Sequence, residues 1–255
     1  MRTVSDIRYA EEAPCLLELY LPEWKRDFTT VVMIHGGGLE NGGRRDEGIR
    51  ENARALARMG IATVSPDYRM FPDARYPEFI EDAAACAAWV KREIASFGGS
   101  GRVYIGGLSA GAYLSMMLCF DPSWLARHGL SNADVAGYLF GSAQPTKHFN
   151  VLKYAGEDPR RVIVDETAPL FHVVPGLSVP PMQILVSDND ITNRRTQNEL
   201  LAATLAHMEF DMDRVDFRVL HGTHCSFYKE ADAWGNPVYA GLILDFMRRY
   251  CGENV

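Results

Sequence analysis

The chain has 255 residues, 47% of them hydrophobic, a length and composition typical of one domain (residues 1–255) with a sizeable core. Its formal net charge of −7 argues against nucleic acid or an anionic membrane surface as a partner. The five cysteines are scattered, with no C-x-x-C pair, so we expect free thiols and a cytoplasmic location.

The first 34 residues predict strands and no targeting segment. They lack the apolar core of a signal peptide, and the chain has no run of about 18 apolar residues that could span a bilayer. Residues 7–21 favour two edge strands. Thr29–Ile34 is a continuous apolar, β-branched run, which is typical of a strand covered on both faces of a sheet.

Three consecutive glycines follow this buried run, in the sequence His35-Gly36-Gly37-Gly38-Leu39. Because glycine has no side chain, the backbone N–H groups of such a loop are free to point at an anion. A flexible loop and a phosphate-binding turn are the alternatives. Neither G-x-G-x-x-G nor G-x-x-x-x-G-K-[ST] occurs at this turn, so we expect no nucleotide cofactor.

Helices and strands alternate in the next part of the chain. Ile49–Met59 has helical periodicity and ends at Gly60, and Ile61–Ser65 is the next buried strand. A second helix is expected from about Pro77 to Ser96, with its apolar residues in one stripe that faces the sheet.

The stretch Val103–Tyr113 joins a β-branched and aromatic run to an Ala/Leu/Met-rich segment. Its motif Gly107-x-Ser109-x-Gly111 is typical of a nucleophile elbow, a strand–turn–helix in which a strained serine presents its hydroxyl. Both flanking positions must be small because the strand and the helix nearly touch there. The alternative is a strand-to-helix turn with an incidental serine.

The middle of the chain is less regular. A strand is expected over Val135–Phe140, and residues 143–181 are rich in Pro, Gly and charged side chains. We interpret 143–181 either as a small lid over the carboxyl edge of the sheet or as a solvated crossover with a short helix.

Two predicted strands in the last third of the chain run into polar residues. The first, over 183–186, leads to Asp188 and Asp190, and the second leads to His221 and His224. Two helices complete the pattern, Asn193–Met208, with Leu200, Leu201, Leu205 and Met208 facing inward, and Pro237–Arg249.

This alternation predicts an α/β fold with a mostly parallel sheet of about eight strands and helices on both faces. Ligands of such sheets bind beyond the carboxyl ends of the strands, where the glycine loop, Ser109, the two aspartates and His224 would meet. A serine hydroxyl needs an imidazole base, the base needs a carboxylate, and the resulting oxyanion needs N–H donors. Cys225 is rejected as the nucleophile because it lacks a glycine-framed turn.

Several of these motifs together resemble the α/β-hydrolase esterase/lipase superfamily, specifically its HGGG-bearing carboxylesterase branch. The resemblance rests on residues 35–38, on the elbow 107–111 and on Asp67-Tyr68-Arg69 followed by Pro72. It implies an α/β-hydrolase fold from about Val31 to the C-terminus and a Ser-His-Asp esterase.

The resemblance also implies roles for single residues. The main-chain N–H groups of Gly37, Gly38 and Ala110 would form the oxyanion hole, and His224 would be the base. For the acid we favour Asp190, because a glycine often stands three residues before the acid in the family, although Ser187 replaces it here. Asp188 is the rival, and it could instead cap the turn.

Only 34 residues precede His35, too few for the helical N-terminal cap of some family members, so we expect no cap and an open pocket. The family then implies small, short-acyl esters as substrates. An amidase-type hydrolase (an arylformamidase or a small peptidase) and a non-catalytic binding protein on the same scaffold are the alternatives. No metal site is predicted, since no histidine and carboxylate spacing suggests zinc and H-E-x-x-H is absent, and no cofactor is predicted either. The oligomeric state stays open, a homodimer included.

Overall fold

The computed structural model describes residues 1–12 and 14–252, except the side chain of Cys251. Eight strands were found in these residues: β1 (Arg2–Arg8), β2 (Leu16–Leu21), β3 (Phe28–Ile34), β4 (Ala62–Pro66), β5 (Gly99–Leu108), β6 (Gly137–Gly141), β7 (Met182–Asn189) and β8 (Val215–Thr223). The α-helices are α1 (Glu47–Arg58), α2 (Glu78–Glu93), α3 (Ala110–Phe120), α4 (Ser123–Ala126), α5 (Phe149–Tyr154), α6 (Arg194–His207) and α7 (Val238–Cys251).

The strands form one sheet in the order β1-β2-β4-β3-β5-β6-β7-β8. The two N-terminal strands pair antiparallel, with each other and with β4, whereas every pairing from β4 to β8 is parallel. The predicted mostly parallel sheet of about eight strands is confirmed. Its parallel strands all end at the same edge, which collects the residues that follow them.

Strand β3 lies in the middle of the sheet, and alternate residues along it enter different cores. Val32 and Ile34 pack in one hydrophobic cluster, and Val31 and Met33 pack in a second cluster. Because side chains alternate between the faces of a strand, this division shows that both faces of the sheet are covered.

The helices divide between these two clusters. Apolar residues of α2, α3 and α6 belong to the first cluster, and those of α1 and α7 belong to the second. Helix α3 is buried along its whole length, so the element that begins at the predicted elbow is held on all sides. The elbow therefore has a rigid support.

The inward face predicted for α6 was partly wrong. Leu201 and Leu205 are fully buried, but Leu200 is 48% exposed. Residues four apart share one side of a helix, whereas Leu200 is turned by about 100° from Leu201 and points to solvent. Met208 lies just after the helix and packs partly buried against the core.

The two irregular regions differ in structure. In the described residues before His35 there is no α-helix, and these residues form β1 to β3. Residues 143–181, between β6 and β7, contain α5 and the short 3-10 turn Pro169–His172. Whether this segment works as a lid or as a crossover stays a prediction.

The glycines of the elbow are required by a close approach of backbones. A Cβ on Gly111 would lie 2.2 Å from the carbonyl oxygen of Ile34, and one on Gly107 would lie 2.5 Å from the same oxygen. Such distances are far inside van der Waals contact. Helix α3 can therefore begin directly against the end of β3 only where both residues are glycine.

We expect Gly111→Ala to lower the free energy of unfolding by about 1–3 kcal/mol, because the added methyl group overpacks a backbone contact. Gly241→Ala is the matched control, since Gly241 lies in α7 and a Cβ there meets nothing within 4 Å. The control should gain about 0.5–1 kcal/mol from helix propensity. Urea unfolding measures both, and equal midpoints for Gly111→Ala and the wild type would contradict the packing argument.

Candidate active site

Ser109 occupies the turn between β5 and α3, with φ 54° and ψ −111°. A positive φ is uncommon for a non-glycine residue, and in this turn it directs the side chain out of the backbone path. The amide of Ser109 donates to the carbonyl oxygen of Gly141, at the end of β6, over 2.7 Å. The strained residue is thus tied to the neighbouring strand.

His224, just after β8, joins Ser109 to Asp190. Its Nε2 lies 2.9 Å from Ser109 Oγ, and its Nδ1 lies 2.5 Å from Asp190 Oδ1. An ionised carboxylate only accepts hydrogen bonds, so in the neutral ring Nδ1 carries the proton and Nε2 is left to accept the serine proton. These three side chains, far apart in the sequence, form one hydrogen-bonded line.

The carboxyl group of Asp190 is fully buried and well supplied with donors. Ser142 Oγ donates to its Oδ2 over 2.7 Å, and the amide of Ile191 donates to its Oδ1 over 2.8 Å. Burial raises the pKa of Asp190, but the hydrogen bonds from His224 and Ser142 outweigh it and lower the pKa below its ordinary value. Asp190 therefore stays ionised beside the imidazole.

Asp188, the rival candidate for the acid, lies outside this line. Its Oδ2 is 2.9 Å from His221 Nδ1, and its Oδ1 accepts the amide of Gly222 over 2.9 Å. The side chain of His221 is 98% exposed. Asp188 thus links the end of β7 to the end of β8, and the hydrogen bond to His224 comes from Asp190.

The glycine loop lies beside Ser109. Gly37 has φ 101° and Gly38 has φ 68°, and a Cβ on Gly37 would lie 1.9 Å from the carbonyl oxygen of Asn41. Within the described residues, the amides of Gly37 and Gly38 donate no hydrogen bond to the protein. Ala110 is the first residue of α3, where a backbone N–H has no intrahelical acceptor. None of the three predicted donors thus has an acceptor among the residues that the structure describes.

His35, the first residue of this loop, has a structural position. It is 1% exposed, its Nδ1 lies 2.7 Å from the carbonyl oxygen of Gly36, and its ring stacks on Tyr68 at a centroid distance of 4.4 Å. Burial lowers the pKa of His35 and favours the neutral ring. A neutral Nδ1–H can donate to Gly36, so the ring braces the loop.

Ser109 opens into a cavity of about 830 Å³. Residues 36–38 and His224 line it, together with the larger side chains of Phe149, Ile191 and Tyr228. A volume of this order accommodates a small-molecule ligand. Phe149 comes from the segment 143–181, so that segment contributes to the pocket.

Sequence reasoning missed Ser142. This residue is fully buried, has φ 47°, donates to Asp190 and follows Gly141, whose carbonyl oxygen accepts the amide of Ser109. The only signal available was its place at the end of a predicted strand, which many residues share. Its positive φ and its partner depend on the three-dimensional packing.

The described residues include no cluster of three or more His, Cys, Asp or Glu side chains that could hold a metal ion. Over the same part of the chain, the helices are too short or too polar to cross a membrane.

The arrangement of sheet, elbow and glycine loop is that of an α/β-hydrolase, and comparisons with known proteins agree. Residues 17–128 match the BD-FAE family model. A truncated carbohydrate esterase from gut microbiota superposes with a TM-score of 0.80 at 18% identity, over 99% of this chain and 97% of that one. The α/β-hydrolase fold and the predicted resemblance to α/β-hydrolase esterases are confirmed.

Curated relatives match a shorter part of the chain. A probable isoprenylcysteine alpha-carbonyl methylesterase of Oryza sativa subsp. japonica is 36% identical over 108 residues, 42% of this chain and 25% of the relative. Carboxylesterase NlhH of Mycobacterium tuberculosis is 36% identical over 104 residues, 40% of this chain and 32% of the relative. The matched part thus spans a quarter to a third of these relatives.

The two aspartates offer a direct comparison. We expect Asp190→Asn to lower kcat by about 10⁴-fold, because an asparagine neither fixes the tautomer of His224 nor stabilises its cation. Asp188→Asn is the matched control, because this carboxylate lies two residues away and bonds to His221 and Gly222 instead of His224, and the variant should stay within a few-fold of the wild type. Steady-state kinetics on a p-nitrophenyl ester measures both, and a larger loss for Asp188→Asn would reverse the assignment.

The pH profile should reflect His224. Burial favours the neutral ring and lowers the pKa, but the carboxylate of Asp190 and the thiol of Cys225, 3.7 Å from Nε2, outweigh it and raise the pKa of His224 to about 9. A protonated ring cannot accept the serine proton, so kcat/KM should rise with pH through that value. Cys225→Ala should shift the midpoint to lower pH. A wild-type midpoint below 6.5 would contradict this account.

Proposed function

We propose that this protein is a serine carboxylic-ester hydrolase that acts on small, short-acyl esters through an acyl-Ser109 intermediate. The observation that carries the proposal is the continuous hydrogen-bonded line from Asp190 through His224 to Ser109 Oγ, with contacts of 2.5 and 2.9 Å. A binding protein on this scaffold would not need these three side chains to be hydrogen-bonded to one another.

The first chemical step is attack on the ester carbonyl carbon. Nε2 of His224 takes the hydroxyl proton of Ser109 while Oγ forms a bond to that carbon. The imidazolium that results is stabilised by the adjacent carboxylate of Asp190, which stays ionised. Since the base is already within hydrogen-bond distance of the hydroxyl, little reorganisation precedes the step.

The negative charge that forms on the carbonyl oxygen needs donors. The amides of Gly37, Gly38 and Ala110 supply them in this proposal, and the N-terminal end of α3 adds a favourable dipole. One lost donor of this kind typically costs about 10²–10³ in kcat. Free amides that are held in place before the substrate arrives are suited to this charge.

Collapse of the tetrahedral intermediate completes acylation. His224 returns its proton to the leaving alcohol oxygen as the C–O bond breaks, and the acyl group stays on Ser109. A water molecule then gives a proton to His224 and attacks the acyl carbon, and the acid leaves as the serine proton returns. Water can reach the site because the cavity that contains Ser109 and His224 is open to solvent.

Substrate size and compartment follow from the cavity and the thiols. The cavity of about 830 Å³ suits a small ester, and the related carboxylesterase NlhH supports the ester class. Cys15, Cys86, Cys119 and Cys225 are free thiols, which supports a reducing compartment such as the cytoplasm.

The test of the function is hydrolysis of p-nitrophenyl acetate, butyrate and octanoate by the wild type and by Ser109→Ala. We expect the wild type to favour the shorter chains and the variant to lose about 10⁴-fold or more in kcat, since no other nucleophile lies at the elbow. Ser115→Ala is the control in the same helix, because its buried hydroxyl donates only to Gly111 of its own helix, over 2.8 Å. It should stay within a few-fold of the wild type.

Other outcomes would overturn the proposal in distinguishable ways. Hydrolysis that survives in Ser109→Ala would show that Ser109 is not the nucleophile. Faster turnover of a matched p-nitroanilide than of the ester would favour the amidase alternative. An inactive wild type on all these probes would favour the binding-protein alternative.

A further inference from the structure

The carbonyl oxygens of residues 36–39, in the glycine loop, all have hydrogen-bonding partners. One of these partners comes from a distant part of the chain. Gly36 O is contacted by the ring of His35, Gly37 O accepts the amides of Glu40 and Asn41, and Leu39 O accepts the amide of Phe71 over 2.8 Å. These donors lie within the first part of the chain. Gly38 O instead accepts from the side chain of Asn150, in α5, over 2.6 Å.

The amide group of Asn150 is fixed in one orientation. Its Nδ2 donates to Gly38 O and to Glu40 Oε2, over 2.6 and 2.9 Å, so both of its hydrogens point at oxygen atoms. Its backbone amide donates to His148 Nδ1 over 3.2 Å, and the residue is 3% exposed. A flipped amide would place an oxygen against two oxygens.

Glu40 is held in turn by other residues of α5. Its Oε1 accepts from Lys153 Nζ over 2.6 Å and from the hydroxyl of Tyr154 over 2.8 Å. These hydrogen bonds lower the pKa of Glu40, so it stays ionised as an acceptor for Asn150. Helix α5, in the segment 143–181, therefore binds the glycine loop through hydrogen bonds at two points, Gly38 O and the side chain of Glu40.

The contact is close enough to set the position of the loop. A Cβ on Gly38 would lie 3.2 Å from Asn150 Nδ2 and 3.4 Å from the ring of Phe149. A planar peptide fixes each C=O relative to the N–H of the next residue, so the N–H of Gly38 lies in one plane with Gly37 O, which accepts the amides of Glu40 and Asn41. Asn150 anchors the peptide on the other side of the Gly38 Cα, through Gly38 O, and with both peptides anchored the φ and ψ of Gly38 have little freedom to change.

We propose that Asn150 is a positioning residue, which through Gly38 holds the oxyanion-hole amides in the direction of Ser109. This role rests on the proposed esterase function. It gives the segment 143–181 a part in the reaction beyond lining the pocket, since α5 completes the support of a loop that precedes it by more than a hundred residues in the chain. Asn150 itself touches no reacting atom.

The test is Asn150→Asp, which keeps the shape of the side chain but removes the donor to Gly38. We expect kcat on p-nitrophenyl acetate to fall by about 10- to 100-fold with little change in KM, because a small misplacement of the loop weakens transition-state stabilisation. The matched control is Asn132→Asp, before β6 at the opposite edge of the sheet. There the amide also donates to two oxygen atoms, the carbonyl oxygens of Cys119 and Ser178, over 2.9 and 3.2 Å.

A second substrate separates positioning from general damage. In the thiono analogue of the ester a sulfur atom replaces the carbonyl oxygen, and sulfur is a weak acceptor that gains little from the oxyanion hole. Asn150→Asp should therefore lose less activity on the thionoester than on the ester. The kcat/KM on the ester divided by the kcat/KM on the thionoester should thus be lower than in the wild type. Asn132→Asp should leave that ratio at the wild-type value.

The negative charge that Asn150→Asp introduces beside Glu40 is tested with the double variant Asn150→Asp, Glu40→Gln. It removes the repulsion but leaves Gly38 O without its donor, so we expect its kcat to stay low. Three results would overturn the proposal: recovery of the double variant to the wild-type rate, equal losses of Asn150→Asp on ester and thionoester, or an Asn150→Asp with unchanged kcat.

If Asn150→Asp does not fold, Asn150→Ala removes the donor without introducing a charge, and it is compared with the wild type on the same two substrates. An inactive wild type would instead remove the proposed function itself.

Discussion

The geometry of the site depends on two hydrogen bonds made by Gly141 and Ser142, at the end of β6. The carbonyl oxygen of Gly141 accepts the amide of Ser109, and the hydroxyl of Ser142 donates to Asp190, each over 2.7 Å. One turn thereby locates the nucleophile relative to the acid, and His224 bridges the gap between them. Since β6 lies between β5 and β7, its end is well placed to hold both.

A buried guanidinium stabilises this turn from behind. Arg194, at the start of α6, is 3% exposed and donates to the carbonyl oxygen of Ser142 over 2.6 Å. Burial lowers the pKa of Arg194 to about 10, and the charge of Asp190 opposes that shift. The attraction between a buried cation and a buried carboxylate partly offsets the cost of desolvating both groups. The charge of Arg194 and the charge of Asp190 therefore stabilise each other.

The sequence was sufficient wherever a local pattern determines the structure. The alternating cores of β3 follow from its continuous apolar run, and the elbow follows from glycines that a backbone contact demands. Ser142 and Asn150 were missed because their partners are 48 and 112 residues away, and no local pattern encodes such contacts. Leu200 was misplaced because several adjacent leucines fit an inward stripe equally well, and packing selects among them.

Three residues at this edge of the sheet share an unusual backbone. Ser109, Ser142 and Cys225 have φ values of 54°, 47° and 56°, a region that disfavours residues with a Cβ. Each costs on the order of 1–3 kcal/mol, which the two cores must offset. A glycine at position 142 would relax the chain but deprive Asp190 of a donor. Stability and turnover therefore favour different residues at position 142. A glycine would raise the thermal stability and lower kcat, and the serine has the opposite effect.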